Sequence, residues 1–354
     1  MKAVWGLIIG LTLSLCTLSA PAFEDPEAHL IGILKALQSG DIDTARARAE
    51  TLRSQFPNYP MGKVLSVELN ARLAGDKVVL KKLHAWHRDT VRQILAEARL
   101  RWQYAEQAIT PEQWVHNLIL SPGQQPWWVV VDLSASRLYL FENHSGQLRL
   151  ALDTYISKGA GGIGKARKGD QRTPVGLYRI TEWRNGADLP PIYGDGALVL
   201  DYPNPWDRFV GRTGSGIWLH GTPPDLYARP PASSKGCVVL SNGALEALKD
   251  HLQQPQGTPV LLVESIDKLS AADPDTPTSL IERVKTASPS QALELVRYPG
   301  EQDMYYVAWV GHGGLHAQFW RHDPHNGVVL ALEQRLPLSG EVKLAEKAAP
   351  TQIR

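Results

Sequence analysis

The spacing of apolar residues divides the chain into two textures. From Pro26 to about Ala105 it is helical: Leu30, Ile33, Leu34 and Leu37 fall on one face of a first helix, which Gly40-Asp41 breaks. A second helix is predicted through Ala45, Ala49, Leu52 and Phe56, stopped at Pro57-Asn58-Tyr59-Pro60. A third runs from about Met61 to Ala74 and closes at Gly75-Asp76. The texture changes at Ser121-Pro122-Gly123. Trp127-Trp128-Val129-Val130-Val131-Asp132 opens a stretch of short strands punctuated by Gly and Pro. Arg137–Phe141, the turn Asn143–Gly146 and Gln147–Leu152 read as strand, turn, strand. Further strands are predicted at Gly176–Thr181, Ala197–Leu200, Gly216–Leu219 and Pro259–Glu264, with one firm helix at Gly243–Leu252. This is a mainly β domain of about 140 residues, well within the range of a single domain.

The order of short helix, Gly-Asp, Ala-rich helix and Phe-Pro-Asn resembles a tetratricopeptide-like hairpin. Only one unit is visible, where a solenoid needs about three. Residues 26–110 are therefore read as an α-helical (TPR-like) module with two roles open, a protein-partner surface or a cap packed on the β domain, the cap being favoured. No candidate catalytic group lies in it, so it is expected to be dispensable for chemistry on small substrates. Beyond the Asp273–Pro277 linker, residues 278–340 read as a small α/β appendage. It has a helix near Ser279–Ala287 and strands at Tyr305–Val310, Leu315–Arg321 and Val328–Arg335, followed by a loose tail after Pro337.

Composition adds little until the N-terminus is considered. The chain has 354 residues, 43% apolar and 21% charged, with a net charge of +1, which is ordinary for a globular protein and gives no field that argues for nucleic acid. Met1-Lys2, the apolar run Val4–Leu18 and Ala20-Pro21-Ala22 have the form of a secretory signal cut after Ala22, which places the mature protein in the periplasm or cell envelope. An uncleaved anchor is the alternative. Leu15 stands before Cys16 where a lipoprotein site wants Gly or Ala, which argues against lipidation. Removal of residues 1–22 leaves Cys237 as the only cysteine, so no internal disulfide can form. A lone thiol in an oxidising space is a liability unless it is buried or used.

The surroundings of Cys237 argue for use. Ile217-Trp218-Leu219-His220-Gly221-Thr222 reads as a strand delivering His220 at its end. Ser233-Ser234-Lys235-Gly236-Cys237-Val238-Val239 reads as a glycine turn presenting a thiol before another strand. His220 and Cys237 stand seventeen positions apart, joined by a loop containing Pro223, Pro224, Pro230 and Pro231. Thiol and imidazole within hydrogen-bond reach are the requirement for nucleophilic catalysis, and a neighbouring imidazolium would hold the thiolate. The amides of Gly236 and Cys237 are candidate donors to an oxyanion.

These segments resemble the H-G-T…S-x-G-C signature of the YkuD family of L,D-transpeptidases. The resemblance runs from about Trp127 to Glu264, and its catalytic domain is placed at 127–264. It includes Val131-Asp132-Leu133 with Arg137-Leu138-Tyr139, and the run Lys168–Tyr178. It implies a thiolate that attacks the carbonyl of a diaminopimelate residue in a peptidoglycan tetrapeptide stem, expels D-Ala and passes the acyl group from a thioester to an amine or to water. On the same basis His220 is the base and the Gly221 carbonyl orients its ring, while Trp218, Thr222, Ser234 and Lys235 are candidates for holding substrate. Family members often read S-H-G-C-[IV]-R. Here Lys235 stands at the His position and Val239 at the Arg position, which puts donor recognition and acceptor choice in question. Three functions compete: a transpeptidase, a hydrolase on the same scaffold, and a non-catalytic wall-binding protein. The Cys237–His220 pair disfavours the last.

Other motifs carry less. Gly159-Ala160-Gly161-Gly162-Ile163-Gly164-Lys165 matches the start of a P-loop, but Ala166 lacks the hydroxyl for Mg²⁺ and no helix follows, so a glycine turn is the better reading and no nucleotide is expected. Arg212-Thr213-Gly214 precedes Ser233-Ser234-Lys235, the wrong order for a serine D,D-peptidase. His312, His316, His322 and His325 straddle a hairpin turn without the companions of a metal site. Among the eleven Trp, Trp183, Trp206 and Trp218 are candidates for a groove wall, and alternation puts Trp218 on the face of His220. Thiol, imidazole and amides suffice for acyl transfer, so no cofactor or metal is implied.

Overall fold

The computed structural model describes residues 25–269 apart from 77, 79, 80, 83, 84, 86, 108 and 109, then 280, 282 and 294–336 apart from 312, 313, 324 and 326. The expected signal segment, the tail after Pro337 and all but two residues of the Ser279–Ala287 helix lie outside the described residues.

Helices α1 (Glu27–Gln38), α2 (Ile42–Gln55), α3 (Pro60–Leu73), α4 (Arg88–Ala105) and α5 (Pro111–Leu118) come first. Their breaks follow local chemistry. Asp41 caps α2 by accepting the Thr44 amide at 3.0 Å, and Pro60 opens α3, where its missing N–H leaves nothing unpaired. Strands β1 (Ile119–Pro122), β2 (Trp127–Asp132), β3 (Arg137–His144), β4 (Gln147–Tyr155), β5 (Lys158–Gly159), β6 (Gly176–Asn185) and β7 (Gly196–Leu200) follow. After α6 (Pro205–Phe209) come β8 (Trp218–His220), β9 (Ala232–Ser234), β10 (Val238–Val239), α7 (Asn242–Leu252) and β11 (Pro259–Val263). The last described elements are β12 (Glu294–Arg297), β13 (Met304–Gly311), β14 (Gly314–Asp323) and β15 (Gly327–Leu336).

The central sheet has eight strands in the order β10-β8-β7-β6-β11-β2-β3-β4. Both its faces are buried, which is why β2 is an unbroken apolar run rather than an alternation. Val129, Val131, Leu138 and Leu140 face one core, with Leu245 and Leu248 of α7. Trp128, Val130, Tyr139 and Phe141 face the other, with Trp114 and Val115 of α5 and Tyr306 and Phe319 of the C-terminal strands. Those strands form a second, antiparallel sheet in the order β1-β12-β13-β14-β15. The expected appendage is thus not a separate body. It takes a strand from upstream of the central sheet and shares that sheet's core, with Arg179 of β6 bonding Glu294 of β12 at 2.5 Å. Trp206, expected as a groove wall, lies in this junction, stacked on Phe319 at 5.6 Å.

The helical module is joined to the sheet by a buried network of charges. Arg137 of β3 donates to Glu27 of α1 at 2.7 Å and to Asp153 of β4 at 2.6 Å. Arg101 of α4 donates to the same Glu27 at 2.6 Å and to Glu97 at 3.0 Å. Glu97 also accepts from Tyr59 at 3.0 Å. Both guanidiniums are buried, so each depends on its carboxylates for compensation. Removing one partner strands the others in a poorly solvated place. Arg137→Met is therefore expected to destabilise the chain by about 3–5 kcal/mol, read as a lower urea midpoint. A loss within about 0.5 kcal/mol, the size expected of an ordinary surface change, would mean the network does not hold the module.

Candidate active site

The register of two short strands sets the site. β8 and β10 run parallel, with Val238 beside Leu219 and Val239 beside His220, and the Leu240 amide donates to the His220 carbonyl at 2.8 Å. One step back along the register, Cys237 comes level with Trp218, whose backbone N–H donates to its sulfur. The thiol in turn donates to the Gly216 carbonyl at 3.3 Å. The turn before it needs glycine. Gly236 has φ +124°, and a Cβ there would stand 2.8 Å from the Arg172 carbonyl oxygen.

His220 is 3% exposed. Its Nδ1 lies 2.7 Å from the Gly221 carbonyl oxygen, which assigns the proton to Nδ1 and leaves Nε2 as the basic nitrogen. Burial pushes the ring's pKa down to about 4, with Arg229 adding to the effect against the pull of the Gly221 carbonyl. Burial also pushes the Cys237 thiol up, partly countered by the Trp218 amide, Arg229 and Lys165. Burial therefore disfavours the charged form of each group, against the expected thiolate–imidazolium pair.

The other residues singled out in the sequence divide sharply. Trp218 is half-buried, and its ring and that of His220 both meet Tyr193, at 4.9 and 5.0 Å. Lys235 is exposed at the turn. Thr222 and Ser234, expected to hold substrate, are instead buried and used internally. Thr222 is bonded through its amide to Asn242, at 3.1 Å. Ser234 Oγ donates to the Cys237 carbonyl at 2.6 Å and accepts the Gly236 amide at 3.1 Å. That second bond occupies one of the two amides considered for an oxyanion and leaves the Cys237 amide as the candidate. The P-loop-like stretch 159–165 is a floor for the turn that carries Cys237. Gly159 and Gly161 pack so closely on the Gln171 and Asp170 carbonyls that a Cβ would lie 2.2 Å from either oxygen. Buried Lys165 pairs with Asp170 at 2.7 Å. Among the histidines of the C-terminal sheet, His316 stacks on Trp309 at 5.3 Å, and His312 lies outside the described residues. No group of three or more potential ligands gathers for a metal among the described residues.

Three positioning residues escaped the sequence reading. Asn242, the first residue of α7, accepts from the Thr222 and Asp195 amides and donates to the Thr222 carbonyl at 2.9 Å. It thereby ties the loop after His220 to the loop carrying Tyr193. Asn58, in the turn between α2 and α3, donates to the Pro224 carbonyl at 2.8 Å and accepts the Tyr227 amide at 2.9 Å through its own carbonyl. The Tyr227 ring packs edge-on against Phe56 and Tyr59, at 5.5 and 5.6 Å. The helical module therefore touches the loop that joins His220 to Cys237.

With this geometry in view, comparison with known proteins is direct. Residues 126–262 match the YkuD family, the L,D-transpeptidase catalytic domain. Among solved structures, the helical cell shape determining protein Pgp2 of Campylobacter jejuni, in a point-mutant form, is 22% identical, covering 62% of this chain and 95% of that one at a TM-score of 0.48. Bd1075 of Bdellovibrio bacteriovorus is 19% identical over 64% of this chain and 99% of that one, with a TM-score of 0.47. The L,D-transpeptidase of Xylanimonas cellulosilytica is 22% identical over 40% and 63%, with a TM-score of 0.25. No curated protein matches the chain. As none of these structures reaches a TM-score of 0.5, the assignment rests on the matched segment.

Two outcomes follow from the site. The native state holds His220 near pKa 4 against 6.5 for a free imidazole, so between those values it binds fewer protons than the unfolded chain. Stability from this group is complete above pH 6.5 and is lost as the pH falls toward 4, a difference of roughly 3 kcal/mol in all. His220→Gln is expected to flatten the pH dependence of the urea midpoint across that window; an undiminished acid decline in the variant would contradict it. Asn242→Ala leaves two amides and a carbonyl unpaired, and should cost about 2–3 kcal/mol together with most of the activity. A fully active, equally stable variant would show that the loop after His220 holds itself.

Proposed function

We propose that the chain is a peptidoglycan L,D-transpeptidase of the cell envelope, in which Cys237 is the nucleophile and His220 its general base. The observation that carries this reading is the β8–β10 pairing, which sets the sulfur at the Trp218 amide and a Nδ1-protonated imidazole one strand away. In the first half-reaction Nε2 of His220 takes the thiol proton as sulfur bonds to the diaminopimelate carbonyl carbon of a tetrapeptide stem. The Cys237 amide donates to the resulting oxyanion. The imidazolium then gives its proton to the D-Ala nitrogen, the C–N bond breaks, and D-Ala leaves behind a thioester. In the second, an acceptor amine loses a proton to His220 and bonds to the carbonyl carbon, and the released thiolate recovers that proton. Trp218 and Tyr193 form an aromatic wall beside the base that favours a bound peptide over water. Lys235, exposed beside the thiol, is the candidate contact for the acceptor.

Because the pair starts neutral, proton transfer accompanies attack, and the imidazole must be neutral for it to work. kcat/KM is expected to fall only as the pH drops through about 4, the value to which burial brings His220. Loss of activity already below pH 6.5 would show an unshifted imidazole. Cys237→Ser and His220→Ala should each reduce turnover by roughly three orders of magnitude or more. The decisive assay supplies a disaccharide-tetrapeptide with and without excess acceptor amine and identifies products by mass. Dimers or amine adducts support transfer. Tripeptide alone at every amine concentration would make the protein a hydrolase on this scaffold.

A further inference from the structure

The loop between His220 and Cys237 carries Arg229, which is half-buried. The backbone around Arg229 is pinned on every side. Tyr155 donates to the Arg229 carbonyl at 3.0 Å, Ser157 Oγ to that of Pro230, and the Lys158 amide to that of Pro231 at 2.9 Å. The half-buried side chain spends a donor on the Ser233 carbonyl at 2.5 Å. Among the described residues no carboxylate forms an ion pair with it. The Ser233 contact holds its guanidinium at the turn that carries Cys237, and its charge is among those felt by both Cys237 and His220. The other nearby cations are accounted for. Lys165 is paired with Asp170, while Arg172 and Lys235 are exposed, Arg172 donating to the Ile163 carbonyl at 3.2 Å.

A guanidinium has five N–H donors in a planar fork that matches a carboxylate, and burying one without a counter-ion is costly unless a ligand supplies it. We propose that Arg229 is the substrate-binding residue that anchors the free carboxylate of the leaving D-alanine. This rests on the reading of Cys237 as acyl nucleophile. A stem peptide offers two carboxylates near the scissile bond, the C-terminal one and that on the diaminopimelate side chain. The terminal carboxylate is borne by the carbon next to the scissile nitrogen, so a cation held at the turn that carries the thiol meets it as the carbonyl reaches sulfur. The side-chain carboxylate is several bonds further from the attacked carbon. The consequence is a chain-end specificity: stems that stop at D-Ala are taken, and stems whose D-Ala carboxyl is masked are refused.

The test uses the full chain carrying Cys237→Ala, so that binding is measured without turnover. Three probes are titrated by calorimetry: the tetrapeptide L-Ala-γ-D-Glu-diaminopimelate-D-Ala, its C-terminal carboxamide, and the tetrapeptide amidated on the diaminopimelate side chain. The free acid should bind about tenfold to hundredfold more tightly than the C-terminal amide, the range expected of a charge-assisted contact. Side-chain amidation should leave affinity unchanged. Adding Arg229→Gln should bring the acid-to-amide ratio close to one, and Arg229→Lys should retain part of it. Equal binding of acid and C-terminal amide by the protein with Arg229 intact would overturn the proposal without any appeal to a folded variant. So would no binding of the acid, a ratio that survives Arg229→Gln, or a loss confined to the side-chain amide. If the ratio behaves as expected but the protein with Cys237 restored turns over no stem, the acyl-transfer reading fails and the carboxylate anchor stands.

Discussion

Everything chemical in this protein hangs on two residue pairs of parallel sheet. β8 and β10 meet only at Leu219–Val238 and His220–Val239, yet that register decides where sulfur and imidazole lie. A slip of one residue would turn His220 to the opposite face, away from Tyr193, and take Cys237 from the Trp218 amide. Such a short pairing cannot hold itself. It is fixed from outside by the Leu240 amide on the His220 carbonyl, by Asn242 at the head of α7, and by the floor that stretch 159–173 makes beneath Gly236. These supports tolerate little change, because several are backbone contacts that a single Cβ would break.

The same logic extends to the helices. Parallel β8 and β10 require a long crossover, and its loop is anchored by elements far away in sequence. Asn58 grips residues 224 and 227, while Tyr155, which carries Arg101 over its ring at 4.2 Å, holds the carbonyl of Arg229. The network of Glu27, Arg101, Arg137 and Asp153 therefore does more than dock a module on a sheet. Through Arg101 it also meets Tyr155, which holds that loop. Buried ion networks are weak sources of stability but strong sources of geometric definition when every member is compensated, as these are.

The division between what the sequence disclosed and what it did not has a physical basis. The strands from Trp127 to Leu152 and the helix at Asn242–Leu252 were legible because periodicity is a property of neighbouring residues, and local motif singled out Cys237 and His220 on the same ground. β1 and β12 are four residues each, too short for a periodic signal. They exist because the C-terminal sheet has an edge to extend and a shared core to cover. Thr222 and Ser234 looked like substrate contacts because hydroxyls beside a nucleophile suggest binding, but their hydrogen bonds are spent within the two turns that hold the motif. The positioning roles of Asn58, Tyr227 and Asn242 carried no signal, since they consist of contacts with residues distant along the chain. The state of charge of the pair was also hidden: a Cys and a His read as an ion pair until burial is known.

In the proposed mechanism neither group starts as an ion, so reaction depends on a substrate carbonyl arriving where proton transfer and attack occur together, and the intermediate is held through sulfur. The most direct measurement is to mix the protein with the tetrapeptide stem, quench in acid within the first turnovers, and map the adduct by mass after proteolysis. The account predicts the mass of the stem less D-alanine on the peptide containing Cys237, in a thioester that hydroxylamine removes. Release of D-alanine at full rate with Cys237 unmodified at every quench time, or an adduct on another residue, would contradict it.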